Sequence, residues 1–178
     1  MRSLLLLLAV FSLLSSCSTH DEYEPMPASA ISNALYMSIV DEKGKDVNYY
    51  QLLSEDKISI TDKRTSQKEK LEIVDCEGRK MIRVYVDLPD AKTVVFNSDK
   101  TEGNGNSNIT LDLDGQKIPI TVNFVYSSII PNSVYGGNSI KIKDIEYAES
   151  KIKPTENLNN SYIRVIKKGD SSIVIEPF

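Results

Sequence analysis

Residues 108–124 read NITLDLDGQKIPITVNF, and the centre of this stretch decides the fold. Asp114-Gly115 is a two-residue hairpin signal, because a type I′ turn needs positive φ at both central positions and these residues tolerate it. Counting outward from the turn sets Leu111 opposite Ile118 and Ile109 opposite Ile120 on one face, with Asp112 opposite Lys117 on the other. Turn chemistry and apolar alternation choose the same register. The count also sets Pro119 opposite Thr110 as a non-hydrogen-bonded pair, so the missing N–H of Pro119 faces away from its hairpin partner. That strand is expected to be an edge there, or to have a bulged neighbour.

The same period of two runs through most of the chain, carried by β-branched residues. Glu77-Gly78 joins LEIVDC (71–76) to MIRVYVDL (81–88), and Lys168-Gly169-Asp170 joins SYIRVI (161–166) to SSIVIE (171–176). In MIRVYVDL the inward set is Ile82, Val84, Val86 and Leu88, with Arg83, Tyr85 and Asp87 outward. ALYMSIVD (34–41), KISIT (57–61), TVVFN (93–97) and SIKIKDIEY (139–147) are further strands. The last changes phase between Ile142 and Ile145, which predicts a bulge near Lys143 or Asp144. VNYYQLLSEDK (47–57) predicts a helical turn with Tyr49, Leu52 and Leu53 on one face. GNGNSN (103–108) has glycines at loose phosphate-loop spacing but no helix start after them, and is expected to be a flexible loop. Eight to ten strands punctuated by turns predict an all-β fold, an antiparallel Ig-like β-sandwich in a single domain, with a β-barrel as the alternative.

The chain opens with Arg2 and an apolar run from Leu4 to Leu14. That run is too short to cross a bilayer, since a spanning helix needs about 20 residues, and it reads as a secretory leader. Leu14, Ser15, Ser16 and Cys17 resemble a bacterial lipobox. The resemblance implies cleavage before Cys17, a diacylglyceryl group on its thiol, and palmitate-type chains that anchor the protein in a membrane. Each buried methylene contributes about 0.8 kcal/mol, so several chains hold effectively permanently. The acidic run Asp21, Glu22, Tyr23, Glu24 resembles the surface-export signal of Bacteroidetes lipoproteins, with His20 standing where lysine or alanine is common. Together with MSIVDEKGKDV (37–47) and the KISI strand, the layout resembles small surface lipoproteins of gut Bacteroidetes, which commonly carry Ig-like domains and lack an assigned activity. The expected organisation is a signal peptide over 1–16, a lipidated acidic tether over 17–32 and a β-sandwich over 33–178. The tether reaches roughly 50 Å at about 3.3 Å per residue.

Composition narrows the chemistry. Losing the leader removes Arg2, leaving 20 basic against 25 acidic side chains, a formal charge of −5. Nucleic acid, which needs a concentrated basic face, is not an expected partner. With Cys17 lipidated, Cys76 stands alone and is expected to be a packed structural residue. The sole histidine, His20, lies in the tether, so nucleophiles activated by imidazole and histidine-ligated metals have no place in the folded body. No catalytic residue, cofactor or metal is implied. Asp112 and Asp114 with Gly115 resemble the start of a calcium loop, but the twelfth position is Asn123 and the residues between alternate as a strand.

The remaining candidates are surface groups. Tyr49, Tyr50 and Tyr135 fall in predicted loops, where an amphipathic ring could touch a glycan or protein. Asp87 with Asp90, and Glu146 with Glu149, lie at strand ends in the pattern a two-carboxylate hydrolase would use. The leading expectation is a non-catalytic binding or interaction module, lipid-anchored at the outer membrane and facing the exterior. A structural or adhesive subunit pairing through an edge or through its C-terminal strand is the second reading, and a carboxylate-dependent hydrolase the third.

Overall fold

A computed structural model describes residues 28–127, 138–169 and 172–178. The architecture is all-β, two sheets packed as a sandwich, one of them curled like half a barrel. Cys17, His20, Asp21, Glu22, Glu24 and Tyr135 lie outside the described residues.

One sheet has seven strands among the described residues. Its path runs β1 (Ala28–Ser32), β9 (Asn138–Tyr147), β8 (Gln116–Ser127), β7 (Glu102–Leu113) and β3 (Ile58–Asp62); β10 (Ser150–Ile152) flanks β9 and β6 (Val95–Phe96) flanks β7. The second sheet has six strands. Its path runs β11 (Thr155–Asn157), β12 (Asn160–Lys167), β2 (Ala34–Asp41), β5 (Arg79–Tyr85) and β4 (Glu72–Cys76), with β13 (Ile173–Pro177) also on β12. One short helix, α1 (Tyr49–Ser54), and a 3₁₀ turn (Ala91–Thr93) complete the described elements. Pairing is antiparallel except for β1 with β9 and β12 with β2, which are parallel.

The hairpin of residues 108–124 forms in the expected register. Leu111 faces Ile118, Ile109 faces Ile120, Asp112 faces Lys117 and Thr110 faces Pro119. Asp114 and Gly115 take φ of 53° and 83°, and the Asp112 carboxylate accepts from the Gly115 N–H at 3.0 Å, so the calcium-loop resemblance resolves as a turn. Pro119 lies at an edge, because β9 joins β8 only from Thr121 onward. The expected bulge is present: Asn123 pairs with Asp144 and Phe124 with Ile142, leaving Lys143 as the extra residue.

The core gathers between the inner faces. Phe124, Ile120, Leu111, Ile60 and Ile142 from one sheet meet Leu35, Met37, Ile82, Ile163 and Val165 from the other. Strand β2 is buried along nearly its whole length on both faces. Its second face is covered by a smaller cluster of Ala34, Tyr36 and Met81, joined by Val74, Cys76 and Tyr162. Cys76 is thus half-buried in packing, as expected, and burial pushes its thiol pKa up.

Three expectations need correction. GNGNSN is not a loop but the first half of the twelve-residue β7, with Gly103 and Gly105 facing inward. A Cβ on Gly105 would lie 2.9 Å from Pro89, and one on Gly103 2.7 Å from the Phe96 ring, so the glycines make room for the chain that crosses them. Among the described residues thirteen strands replace eight to ten, because short pieces such as β6, β10 and β11 are too brief to show a period. The folded body also starts earlier than Asn33, since β1 joins the seven-stranded sheet from Ala28 within the stretch read as tether.

Candidate functional site

Helix α1 places the two adjacent tyrosines oppositely. Asn48 caps it by accepting from the Gln51 N–H, and Tyr49 then points under β2. Strand β5 pairs with β2 only between Ala34 and Met37, which leaves the Ile39 peptide open on that side. The Tyr49 hydroxyl fills the gap, accepting from the Ile39 N–H at 2.9 Å and donating to its C=O at 3.2 Å. Burial raises its pKa. Tyr49 is therefore a core residue, and its expected role as a ligand contact is corrected. Tyr50 is 61% exposed, with the Lys80 ammonium 5.6 Å from its ring centroid.

The carboxylate pairs also separate. Asp90 caps the 3₁₀ turn through the Lys92 N–H, while Asp87 sits 3.5 Å from Arg64. Asp87 instead converges with Asp62 and Glu69, their oxygens lying within 4.8 Å of one another. Burial, then Asp87 and Asp62, hold the Glu69 carboxyl above its usual range. Asp62 is committed locally, accepting from the N–H groups of Arg64 and Thr65 at 2.8 Å each. Glu146 accepts from Asn123, and Glu149 sits in the tight Ala148-Glu149 turn, where φ is 47° and 64°. Each predicted pair is thus divided between different structural tasks.

What the structure assembles is a groove on the outer face of β7, β8 and β9. It consists of two neighbouring hollows of about 420 Å³ and about 300 Å³ that have Glu146 and Lys151 in common as lining. Alternation turns Asn104, Asn106 and Asn108 of β7 outward, at a repeat of about 6.8 Å for every second strand residue. Across the ladder, Asn106 faces Asn123 and Asn108 faces Thr121. The bulge at Lys143 delivers Asp144 to the same face, with its side chain only 8% exposed. There it accepts from Asn123 Nδ2 at 2.7 Å, and Lys151 bridges it to Glu146 at 3.3 and 3.7 Å. Lys143 donates to Asn104 Oδ1 at 2.9 Å.

A third hollow, of about 480 Å³, opens over the six-stranded sheet between Cys76, Arg79, Leu158, Tyr162 and Phe178. Tyr36 stacks on Tyr162 at 4.7 Å, and the guanidinium groups of Arg79 and Arg164 lie 5.5 and 5.4 Å from the Phe178 ring centroid. Leu158 is 88% exposed at the tip of the β11–β12 turn with φ of 48°, a conformation that costs a branched apolar side chain roughly 1–2 kcal/mol. Neither the groove nor this third hollow was visible in the sequence, since each depends on strands far apart in the chain. The outward asparagines at 104, 106 and 108 were a usable signal, hidden because Gly105 and Ser107 between them carry no apolar side chain to mark the inner face. No protein-family model matches this chain, and no curated protein or solved structure matches it either.

Proposed function

We propose that this chain is an outer-membrane lipoprotein, anchored through acyl chains on Cys17 and displayed to the exterior, whose sandwich binds a glycan or protein without chemical turnover. The observation that supports this most is the state of the groove carboxylates. Asp144 and Glu146 are both engaged by Asn123 and Lys151, which suits acids that hold a surface in shape rather than acids that exchange protons with substrate. The position of His20 before the sandwich points the same way. The full chain in detergent, screened against glycan and protein arrays, should bind without altering what it binds. Hydrolysis of any glycan in EDTA, abolished by Glu146→Gln, would replace this reading with the hydrolase. Intact mass of the protein from its native host should show lipid on Cys17; an unmodified amino terminus elsewhere would remove the anchor.

The adhesive reading draws on one observation. Among the described residues, strand β4 ends the path of the six-stranded sheet with β5 on one side only, and an unpaired edge can template another chain. The C-terminal strand β13 is laddered to β12 over five residue pairs and has no second strand partner among the described residues, so β4 and β13 are the edges this reading uses. Sizing the chain across a concentration series tests it, and a constant monomer would end it.

A further inference from the structure

We propose that the asparagine-lined groove is the site of a neutral glycan chain, an inference that rests on the binding reading above and names its ligand class. Three lysines (Lys63, Lys143, Lys151) and three acids (Asp144, Glu146, Glu149) line the two hollows, so their formal charges cancel and the groove has no net pull on phosphate, sulfate or carboxylate polymers. Lys63 and Glu149 stand at one end of it without a side-chain partner among the described residues, and along β7 and β8 the groups left open are amides. Asn123 spends both N–H bonds on carboxylates, which turns its carbonyl outward as an acceptor. Asn104 accepts from Lys143 and Asn108 accepts from Thr121 at 2.8 Å, which leaves their NH₂ groups as donors. Asn106, between them, makes no side-chain hydrogen bond among the described residues and offers both.

The row therefore interleaves fixed donors and acceptors without charge, the counterpart of sugar hydroxyls, each of which donates and accepts. From Asn104 to Asn108 it spans roughly 14 Å along the strand, room for more than one ring. Val95, 71% exposed at one end, and Pro119 at the other give the C–H faces of a sugar somewhere to rest. Because three of the four amides are already held by protein partners, little rotamer entropy is lost on binding.

The test is affinity electrophoresis of the full chain in detergent, through native gels holding laminarin, xylan, galactomannan, α-mannan or pullulan, with polygalacturonate and heparin as acidic counterparts. At least one neutral polymer should retard the protein, and Asn106→Ala, whose side chain supports nothing else, should weaken that retardation at least fivefold. The Asn104→Ala/Asn106→Ala pair should abolish it, with thermal melting confirming a folded chain. Phe178→Ala should leave it unchanged. Retardation by the acidic polymers alone, by none of the neutral ones, or equally in the double variant would overturn the assignment. Loss of neutral-polymer binding in Phe178→Ala alone would move the ligand to the aromatic hollow, sinking this inference while sparing the binding reading. Failure to bind any partner in the array screen would sink both.

Discussion

Gly105→Ala tests the least expected part of the fold. The added methyl would stand 2.9 Å from Pro89 Cβ and 3.1 Å from both Pro89 Cγ and Val94 Cγ2. A proline ring cannot swing aside, and overpacking of this kind costs about 1–3 kcal/mol. Against that, alanine restricts the unfolded chain and contributes about 0.4–1 kcal/mol in the opposite direction. The net expectation is a loss of about 1–2 kcal/mol, a fall in Tm of about 2–8 °C for a domain of this size. Urea unfolding followed by far-UV circular dichroism should show a lower midpoint at unchanged slope. Asn106→Ala, one residue along on the solvent face, should stay within about 0.5 kcal/mol of wild type. Gly103→Ala should cost less than Gly105→Ala, because its obstacle is the half-buried Phe96 ring, which can turn. A stability gain in Gly105→Ala would mean that residues 103–108 behave as a free loop, and the reasoning about β7 would be wrong.

Other consequences follow from single groups. Tyr49→Phe should cost about 1–3 kcal/mol in chemical denaturation, because the Ile39 N–H would be left buried without its acceptor; the C=O keeps the Val47 N–H at 3.2 Å, and a neutral result would show that the tyrosine only fills space. Arg83, then Lys70, hold the Glu72 carboxyl down at about 2, against about 4.3 in the unfolded chain. Its contribution to stability is present above the unfolded pKa and fades as pH falls from there toward about 2. Glu72→Gln should flatten the stability-versus-pH curve in that window, and an unchanged slope would refute the pairing. Leu158→Gly should stabilise the protein by about 1 kcal/mol by relieving its left-handed backbone, with loss of stability as the contrary outcome in the same denaturation assay.

The legible parts of the fold were those in which turn chemistry and period agreed locally. Asp114-Gly115, Glu77-Gly78 and the phase change in SIKIKDIEY each specified pairing within a few residues of themselves, and each formed as read. Strand β2 was located correctly, but its double-sided burial was not legible. That burial depends on Met81 and Tyr162 arriving from strands distant in the chain. The glycines of β7 hid a strand because a residue without a side chain cannot report which face it occupies, and Pro89, Val94 and Phe96 report it only once folded. The same reasoning separates the sites. The helical turn formed with Tyr49 and Leu52 buried on one face as its period implied, but the backbone gap that the Tyr49 hydroxyl fills was not legible, and the groove needed the β8–β9 register to bring Asn123 to Asp144.

The parallel seam between β2 and β12 has a temporal meaning. Ser161 meets Leu35, a separation of 161 − 35 = 126 positions, and β2 has no neighbour on that flank until β12 exists. A ribosome emits residue 34 long before residue 160, so through most of synthesis the central strand waits with one side bare. Such long-range closure is slow, so the central strand gains its second neighbour late in folding.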